Sequence, residues 1–217
     1  SLDISRISCY NSNMNEKTNN IGKKVLSQYH KVILTDADGV LLNWGYAFDV
    51  WMTEKGYTAE NKLEYNFAKI YGITQAESKK LVREFNESAH MGFVPPLRDA
   101  IQYVRKLHEE HGYVFHLITS MSKDENAQKL RTMKIQKLFG ETAFTKFIYL
   151  DTGEDKDEVL SQYEGTNYTW VEDKVENAIV GEKVGLDSIV MEHGYNMNNE
   201  EFPLMKGWKD VYEYLVG

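Results

Sequence analysis

The chain of 217 residues is 42% hydrophobic and 27% charged, a balance that excludes a disordered polymer and allows one good core, or a core domain carrying a smaller insert. Its net charge of −8 would repel a phosphate backbone, and no apolar run reaches the length of a membrane span, so neither a nucleic-acid polymer nor a membrane is expected as a partner. The single cysteine, Cys9, excludes an intrachain disulfide and suits a reducing, cytoplasmic compartment.

Residues 1–20 are rich in Asn and Ser without periodicity and read as a poorly ordered lead-in with none of the basic and apolar blocks of a secretory leader. A short helix is expected over 21–29. The first strand, Lys31 to Thr35, then runs into Asp36-Ala37-Asp38-Gly39-Val40-Leu41-Leu42. A strand this apolar is buried on both faces, as in a parallel sheet, and carboxylates at i and i+2 leave its end on the same side, able to address one centre. Taken alone, Asp-x-Asp-Gly is equally a turn.

Between Leu42 and Pro95 the texture becomes aromatic and helical. Phe48, Val50, Trp51 and Met52 load one helix, which Gly56 ends. A second is expected over Thr58 to Tyr71, with Leu63, Phe67 and Ile70 at helical spacing. The third opens on the capping box Thr74-Gln-Ala-Glu77 and turns Leu81, Val82 and Phe85 inward. These helices read as a lid over 43–94, inserted into a core formed by 21–42 and 95–217. Trp44, Tyr46, Phe48 and Trp51 stand where the chain enters the lid and read as its core before they read as substrate contacts.

Pro95-Pro96 marks the return. A helix from Leu97 to Glu110, stopped by Gly112, precedes a strand from Tyr113 to Ile118 that ends in Thr119-Ser120. Ser122-Lys-Asp-Glu125 reads as a capping box opening a helix to about Leu138. Then come a strand from Lys146 to Leu150, a helix from about Lys156 to Tyr163, a strand from Tyr168 to Val171 leading into Glu172-Asp173, and a helix from Lys174 to about Lys183. A fifth strand, Ser188 to Met191, and a last helix, Trp208 to Leu215, complete the pattern. Strands alternating with helices predict an α/β fold with a doubly wound parallel sheet, whose carboxyl edge would collect Asp36, Asp38, Thr119, Ser120, Lys156, Glu172 and Asp173.

This ordered set resembles the haloacid dehalogenase-like (HAD) superfamily of phosphohydrolases over a core from about residue 31 to 192. The motifs that carry it are Asp36-Ala-Asp38-Gly39-Val40-Leu41, Thr119 after Phe115-His-Leu-Ile118, Lys156 in Gly-Glu-Asp-Lys-Asp-Glu-Val-Leu160, and Glu172-Asp173 with Asn177 following. The resemblance implies a Rossmann-like core with a helical cap and a Mg2+-dependent phosphatase. Its nucleophile would be Asp36, which forms an aspartyl-phosphate, and Asp38 would serve as general acid and then base. It further implies that Mg2+ is held by Asp36, the backbone carbonyl of Asp38 and Asp173, with Glu172 reaching it through water. Thr119 would bind a phosphoryl oxygen, with Ser120 as the alternative. Lys156 would hold the phosphate charge and keep Asp36 ionised, with Lys123 and Lys146 as weaker substitutes or Lys156 itself a solvated helix-start charge.

Asn177 either joins the site or only packs. Asp151 reads as a turn residue, and His90, His108, His111, His116 and His193 lack metal-ligand spacing. Thr119-Ser120, Glu172-Asp173 and Trp208-Lys-Asp-Val also look somewhat like the 5'(3')-deoxyribonucleotidase branch, from which Ala37 and the lid sequence depart. The expected substrate is a small phosphorylated metabolite, a nucleotide or sugar phosphate among the candidates. Other readings stay open: a phosphosugar mutase of the same superfamily, a phosphorylation-dependent receiver, which would need Asp151 as its acceptor, or a catalytically silent binding module.

Overall fold

In the computed structural model residues 31–217 are described, apart from Lys62; the expected lead-in over 1–20 and short helix over 21–29 lie outside them. The first strand, β1 (Val32–Thr35), is buried on both faces as its composition requires, with Ile33 in one hydrophobic cluster and Leu34 in another. Four helices separate it from the next strand; the first three are α1 (Trp44–Glu54), α2 (Phe67–Tyr71) and α3 (Gln75–Asn86), followed by a 3-10 turn over Ala89–Phe93. The chain continues through α4 (Ala100–His111), β2 (Val114–Ser120), α5 (Glu125–Phe139), β3 (Phe144–Leu150), α6 (Asp157–Ser161), β4 (Thr169–Glu172), α7 (Val175–Lys183), β5 (Asp187–Met191), β6 (Leu204–Met205) and α8 (Trp208–Val216). No helix among the described residues is long and apolar enough to cross a membrane.

The strands form one parallel sheet in the order β3-β2-β1-β4-β5-β6. The chain therefore starts in the middle, builds outward through β2 and β3, and returns to the other side of β1 to add β4. Crossovers leave opposite faces on the two sides of β1, so a crevice opens at its carboxyl end, and Asp36 stands there.

Local chemistry explains where the elements depart from expectation. Of the described residues in the 58–71 segment, only the last five are helical. Ahead of them the Asn61 side chain accepts from Leu63 N (3.1 Å), and Glu64 Oε1 accepts from Tyr65 N and Asn66 N (3.1 and 3.2 Å). These bonds offer the backbone an alternative to the helical ladder, and the Asn66 side chain caps α2 by accepting from Ala68 N at 3.0 Å. Leu63 is accordingly exposed rather than inward. Val50 is exposed as well, because the buried stripe of α1 runs through Trp44, Phe48, Trp51 and Met52 and leaves position 50 off it. The helix after β2 is capped by Asp124, whose side chain accepts from Ala127 N (2.8 Å), and not by Ser122. Ser122 Oγ instead accepts from Asp124 N and donates to Glu87. The two-residue strand β6 was too short to leave a pattern in the sequence.

The insertion between β1 and α4 has closely paired ends: Asn43 N donates to Pro95 O and Leu97 N to Leu41 O, both at 2.8 Å. Thr74 caps α3 as its capping box requires, and Leu81 and Phe85 are buried. Val32–Gly217 forms a single compact unit, and the aromatic cluster of the insertion is continuous with the core beneath it. Trp208, which opens α8, is fully buried, and its indole N–H donates to Val40 O (2.8 Å). The last helix thereby ties down the loop that carries the two aspartates.

Candidate active site

The loop after β1 is built by its own backbone. Asp36 N donates to Val171 O at 3.0 Å, continuing the ladder to β4, while Leu41 N and Leu42 N both donate to Ala37 O (2.8 and 2.9 Å). Ala37 N donates to Asp36 Oδ1 (2.7 Å). Gly39 turns the chain at φ +74°, where L side chains are strained, and a Cβ there would also collide with the Asp173 carboxylate.

Around this loop the sheet edge brings together residues from β1, β4 and the start of α6. Asp36, Glu172 and Asp173 are all buried and offer one carboxylate oxygen each within 4.8 Å of one another. Lys156 Nζ lies 2.9 Å from Asp36 Oδ2 and 2.8 Å from Glu172 Oε1. At 2% exposure it is a buried counter-ion, which excludes the solvated helix-start alternative. Burial would lower its pKa, but the charges and hydrogen bonds of Asp36 and Glu172 outweigh that and raise it. Lys123, exposed near Glu154, and Lys146, over the Tyr163 ring, stand elsewhere.

Glu172 is fully engaged. Oε1 also accepts from Asn177 Nδ2 (2.5 Å), and Oε2 accepts from Asp173 N (2.7 Å) and Lys174 N (3.4 Å). Burial favours its neutral form, yet Lys156 and these donors hold its pKa below the usual value. Asn177 thus lines the cavity and fixes Glu172. Asp36 is pushed up to about 7 by burial, against the pull of Lys156. Asp173 is raised well above its usual value by burial and by the Glu172 and Asp36 charges. Three buried carboxylates facing one ammonium are short of positive charge, and all-oxygen donors of this kind suit Mg2+.

Asp38 lies across the loop, its side chain 23% exposed and its Oδ1 2.9 Å from Nη2 of Arg131. Burial raises its pKa and Arg131 opposes the rise. The two hydroxyls that end β2 separate, as adjacent strand residues must. Ser120 lines the cavity, with Oγ donating to Glu154 O (2.9 Å). Thr119 is fully buried away from the lining, and its Oγ1 has no partner among the described residues. Asp151 keeps to its turn, accepting from Thr152 N at 2.8 Å with Arg83 3.6 Å away.

Several residues of the site were not foreseen. The Tyr195 hydroxyl donates a short hydrogen bond to Asp173 Oδ2, and Asn196 Nδ2 donates to the carbonyls of Asp173 and Met191 at 2.8 Å each. His193, expected to be ordinary, lines the cavity. Its Nε2 lies 2.6 Å from Gly39 O and its ring stacks on Tyr195 at 5.0 Å. These residues follow β5, so the rule that drew the other candidates from strand ends would have found them. Arg131, within α5, has a different signal, a charge in an otherwise apolar buried stripe.

Above the acidic floor lies a cavity of about 560 Å³. The four aromatic residues at the entry to the insertion divide: Trp44 and Tyr46 line it, while Phe48 and Trp51 are buried in the aromatic core. Tyr65 also lines it and meets Tyr195 edge to face at 5.1 Å.

A parallel sheet in this order, acidic residues at the ends of its first and fourth strands, and helices inserted after the first define the haloacid dehalogenase-like fold, and this chain has it. No protein-family model matches the sequence. It is 23% identical over 137 residues to an uncharacterised 32.4 kDa protein of the Gp30–rIII intergenic region of enterobacteria phage T4, covering 60% of this chain and 48% of that protein. The chain thus spans about half the length of that relative.

Among solved structures, a haloacid dehalogenase-like hydrolase from Streptococcus pneumoniae superposes with a TM-score of 0.59 at 14% identity, over 85% of this chain and 98% of that one. CbbY from Rhodobacter sphaeroides, solved with phosphate, gives 0.54 at 15% identity over 83% and 96% of the two chains. D,D-heptose 1,7-bisphosphate phosphatase from Burkholderia thailandensis gives 0.52 at 10% identity over 86% and 99%. At these identities the likeness is one of fold.

Proposed function

We propose that this chain is a Mg2+-dependent phosphomonoester hydrolase that works through an aspartyl-phosphate on Asp36. The observation that carries the reading is the convergence of Asp36, Glu172 and Asp173 on one point of the sheet edge, with Lys156 bridging two of them and Asp38 beside the same cavity. A carboxylate nucleophile divides one difficult displacement at phosphorus into two easier ones.

The Asp36 carboxylate attacks phosphorus, the bond to the leaving oxygen breaks, and Asp38 supplies that oxygen with a proton. Water then attacks the same phosphorus, Asp38 takes its proton, and the bond to Asp36 breaks to release phosphate. Lys156 favours the ionised form of Asp36 and balances charge at the phosphoryl group. Both hydroxyls at the end of β2 are candidates for a phosphoryl oxygen: Ser120 lines the cavity, and Thr119 Oγ1 lacks a partner among the described residues. Asp36, the backbone carbonyl of Asp38 and Asp173 would hold Mg2+, with Glu172 behind them, its oxygens engaged by Lys156, Asn177 and the backbone. Bound there, Mg2+ would offset the repulsion between these carboxylates and a phosphate dianion.

The substrate is a small phosphorylated metabolite whose leaving group occupies the cavity beside Trp44, Tyr46 and Tyr65. The test is phosphate release from an aryl phosphate and from a panel of nucleotides, sugar phosphates and phosphoglycolate with Mg2+. The parent should release phosphate, and a folded Asp36→Asn variant should not; turnover by that variant would overturn the reading. Isomerised sugar phosphate in place of free phosphate would identify a mutase instead.

A further inference from the structure

The buried row of α5 contains one residue that does not belong there by composition. Ala127, Arg131, Ile135 and Phe139 follow one another at intervals of four and are all buried, so a guanidinium occupies a place where an apolar side chain would complete the stripe. Arg131 is fully buried, and none of its three side-chain nitrogens has a hydrogen-bond partner among the described residues. What it does have is Asp38. Nη2 lies 2.9 Å from Oδ1, a charge contact whose angles fall outside those of a hydrogen bond, and Oδ1 is likewise buried with no hydrogen bond of its own.

A buried guanidinium with its donors unused is strongly disfavoured, and a Met or Leu at this position would pack the stripe better. Stability of the helix therefore does not explain Arg131. Its contact does: with Oδ1 held against the guanidinium, Asp38 has Oδ2 left to serve the cavity that it lines. Arg131 itself is absent from that lining, so it acts through Asp38.

We propose that Arg131 is a positioning residue for the proton-transfer step, a salt-bridge anchor that fixes the Asp38 carboxyl so that one oxygen faces the leaving oxygen of the substrate. This rests on the hydrolase reading above, in which Asp38 protonates that oxygen. General acids of this kind contribute most when the leaving oxygen is a strong base. The effect of losing Arg131 therefore scales with the leaving group, in parallel with the effect of losing Asp38.

The experiment measures kcat/KM with Mg2+ for phenyl phosphates carrying ring substituents from dinitro to methoxy, together with inhibition by inorganic phosphate. Arg131→Gln should steepen the dependence on leaving-group pKa, losing about 10²-fold at the poorest leaving group and progressively less toward the dinitrophenyl ester. Inhibition by phosphate should stay at the parent level, and Arg131→Lys should restore part of the loss. In an Asp38→Asn background, Arg131→Gln should add no further slope.

An equal loss across the series, or weaker inhibition by phosphate, would overturn the proposal and mark Arg131 as structural or as a phosphate ligand. An unchanged slope would overturn it as well. If Arg131→Gln does not fold, Arg131→Lys decides by the same slope, a smaller but selective loss supporting the proposal and a uniform or absent one overturning it. A parent that hydrolyses none of the esters overturns the hydrolase reading itself, which a flat slope in an active enzyme does not.

Discussion

The ammonium of Lys156 lies 2.9 Å from Oδ2 of Asp36, and both side chains are buried. Removing the lysine would leave Asp36 and Glu172 facing each other with no cation between them. Breaking a buried pair from one side costs about 3–5 kcal/mol. Lys156→Met should therefore lower the urea midpoint and reduce phosphate release at least about 10²-fold. A variant that keeps both the parent midpoint and the parent rate would show that the contact matters to neither.

Asp36 contributes to the pH dependence of the metal-free protein. Burial raises it from the ordinary 3.8 to about 7. A carboxyl whose folded pKa is raised contributes stability that is complete below its unfolded pKa and is lost as pH rises through the folded value. Without Mg2+, the Asp36→Asn variant should thus gain in Tm relative to the parent between pH 4 and pH 7, and the gap should level off above that window. Mg2+ at neutral pH should narrow it, because a bound cation favours the ionised parent carboxylate. A constant difference across the window would contradict the shift.

Tyr195 fixes Asp173 through the short hydrogen bond to Oδ2. A group that orients a metal ligand typically changes metal affinity by about 10–100-fold when removed. Tyr195→Phe should raise the Mg2+ concentration that gives half-maximal phosphate release by about that factor, with kcat at saturating Mg2+ largely preserved. Magnesium titration of initial rates gives the answer directly.

Gly39 meets two demands, the positive φ of +74° and the space beside Asp173. Gly39→Ala should cost about 1–3 kcal/mol from the backbone alone. It should also displace the Asp173 carboxylate, so the fall in activity should exceed what the loss of folded protein explains. Denaturant titration alongside specific activity separates the two effects. Equal losses would mean that the collision is relieved without moving Asp173.

Much of this molecule was legible from residue order. Alternation of apolar strands with helices led to the doubly wound sheet, because a strand buried on both faces has no polar alternation and can only be covered by helices. The same order led to Asp36, Asp38, Lys156 and Glu172-Asp173, since ligand-binding residues of such sheets gather after strand ends. Leu63 and Val50 turn outward despite their hydrophobicity, because the local bonds of Asn61 and Glu64 and the register of α1 decide which way a side chain turns. Tyr195 and Asn196 follow β5 in a stretch where no charged motif drew attention.

The sequence by itself determined the fold class and the chemical character of the edge, because periodicity and residue type are local properties. Only the tertiary structure decided the pairings. It placed Lys156 between Asp36 and Glu172, committed Glu172 to Asn177, put Ser120 in the cavity lining in place of Thr119, and set Arg131 against Asp38. Apart from the Glu172–Asn177 bond, those contacts join residues from different elements, and their strength comes from burial, which no single segment possesses until the sheet has brought its strand ends together.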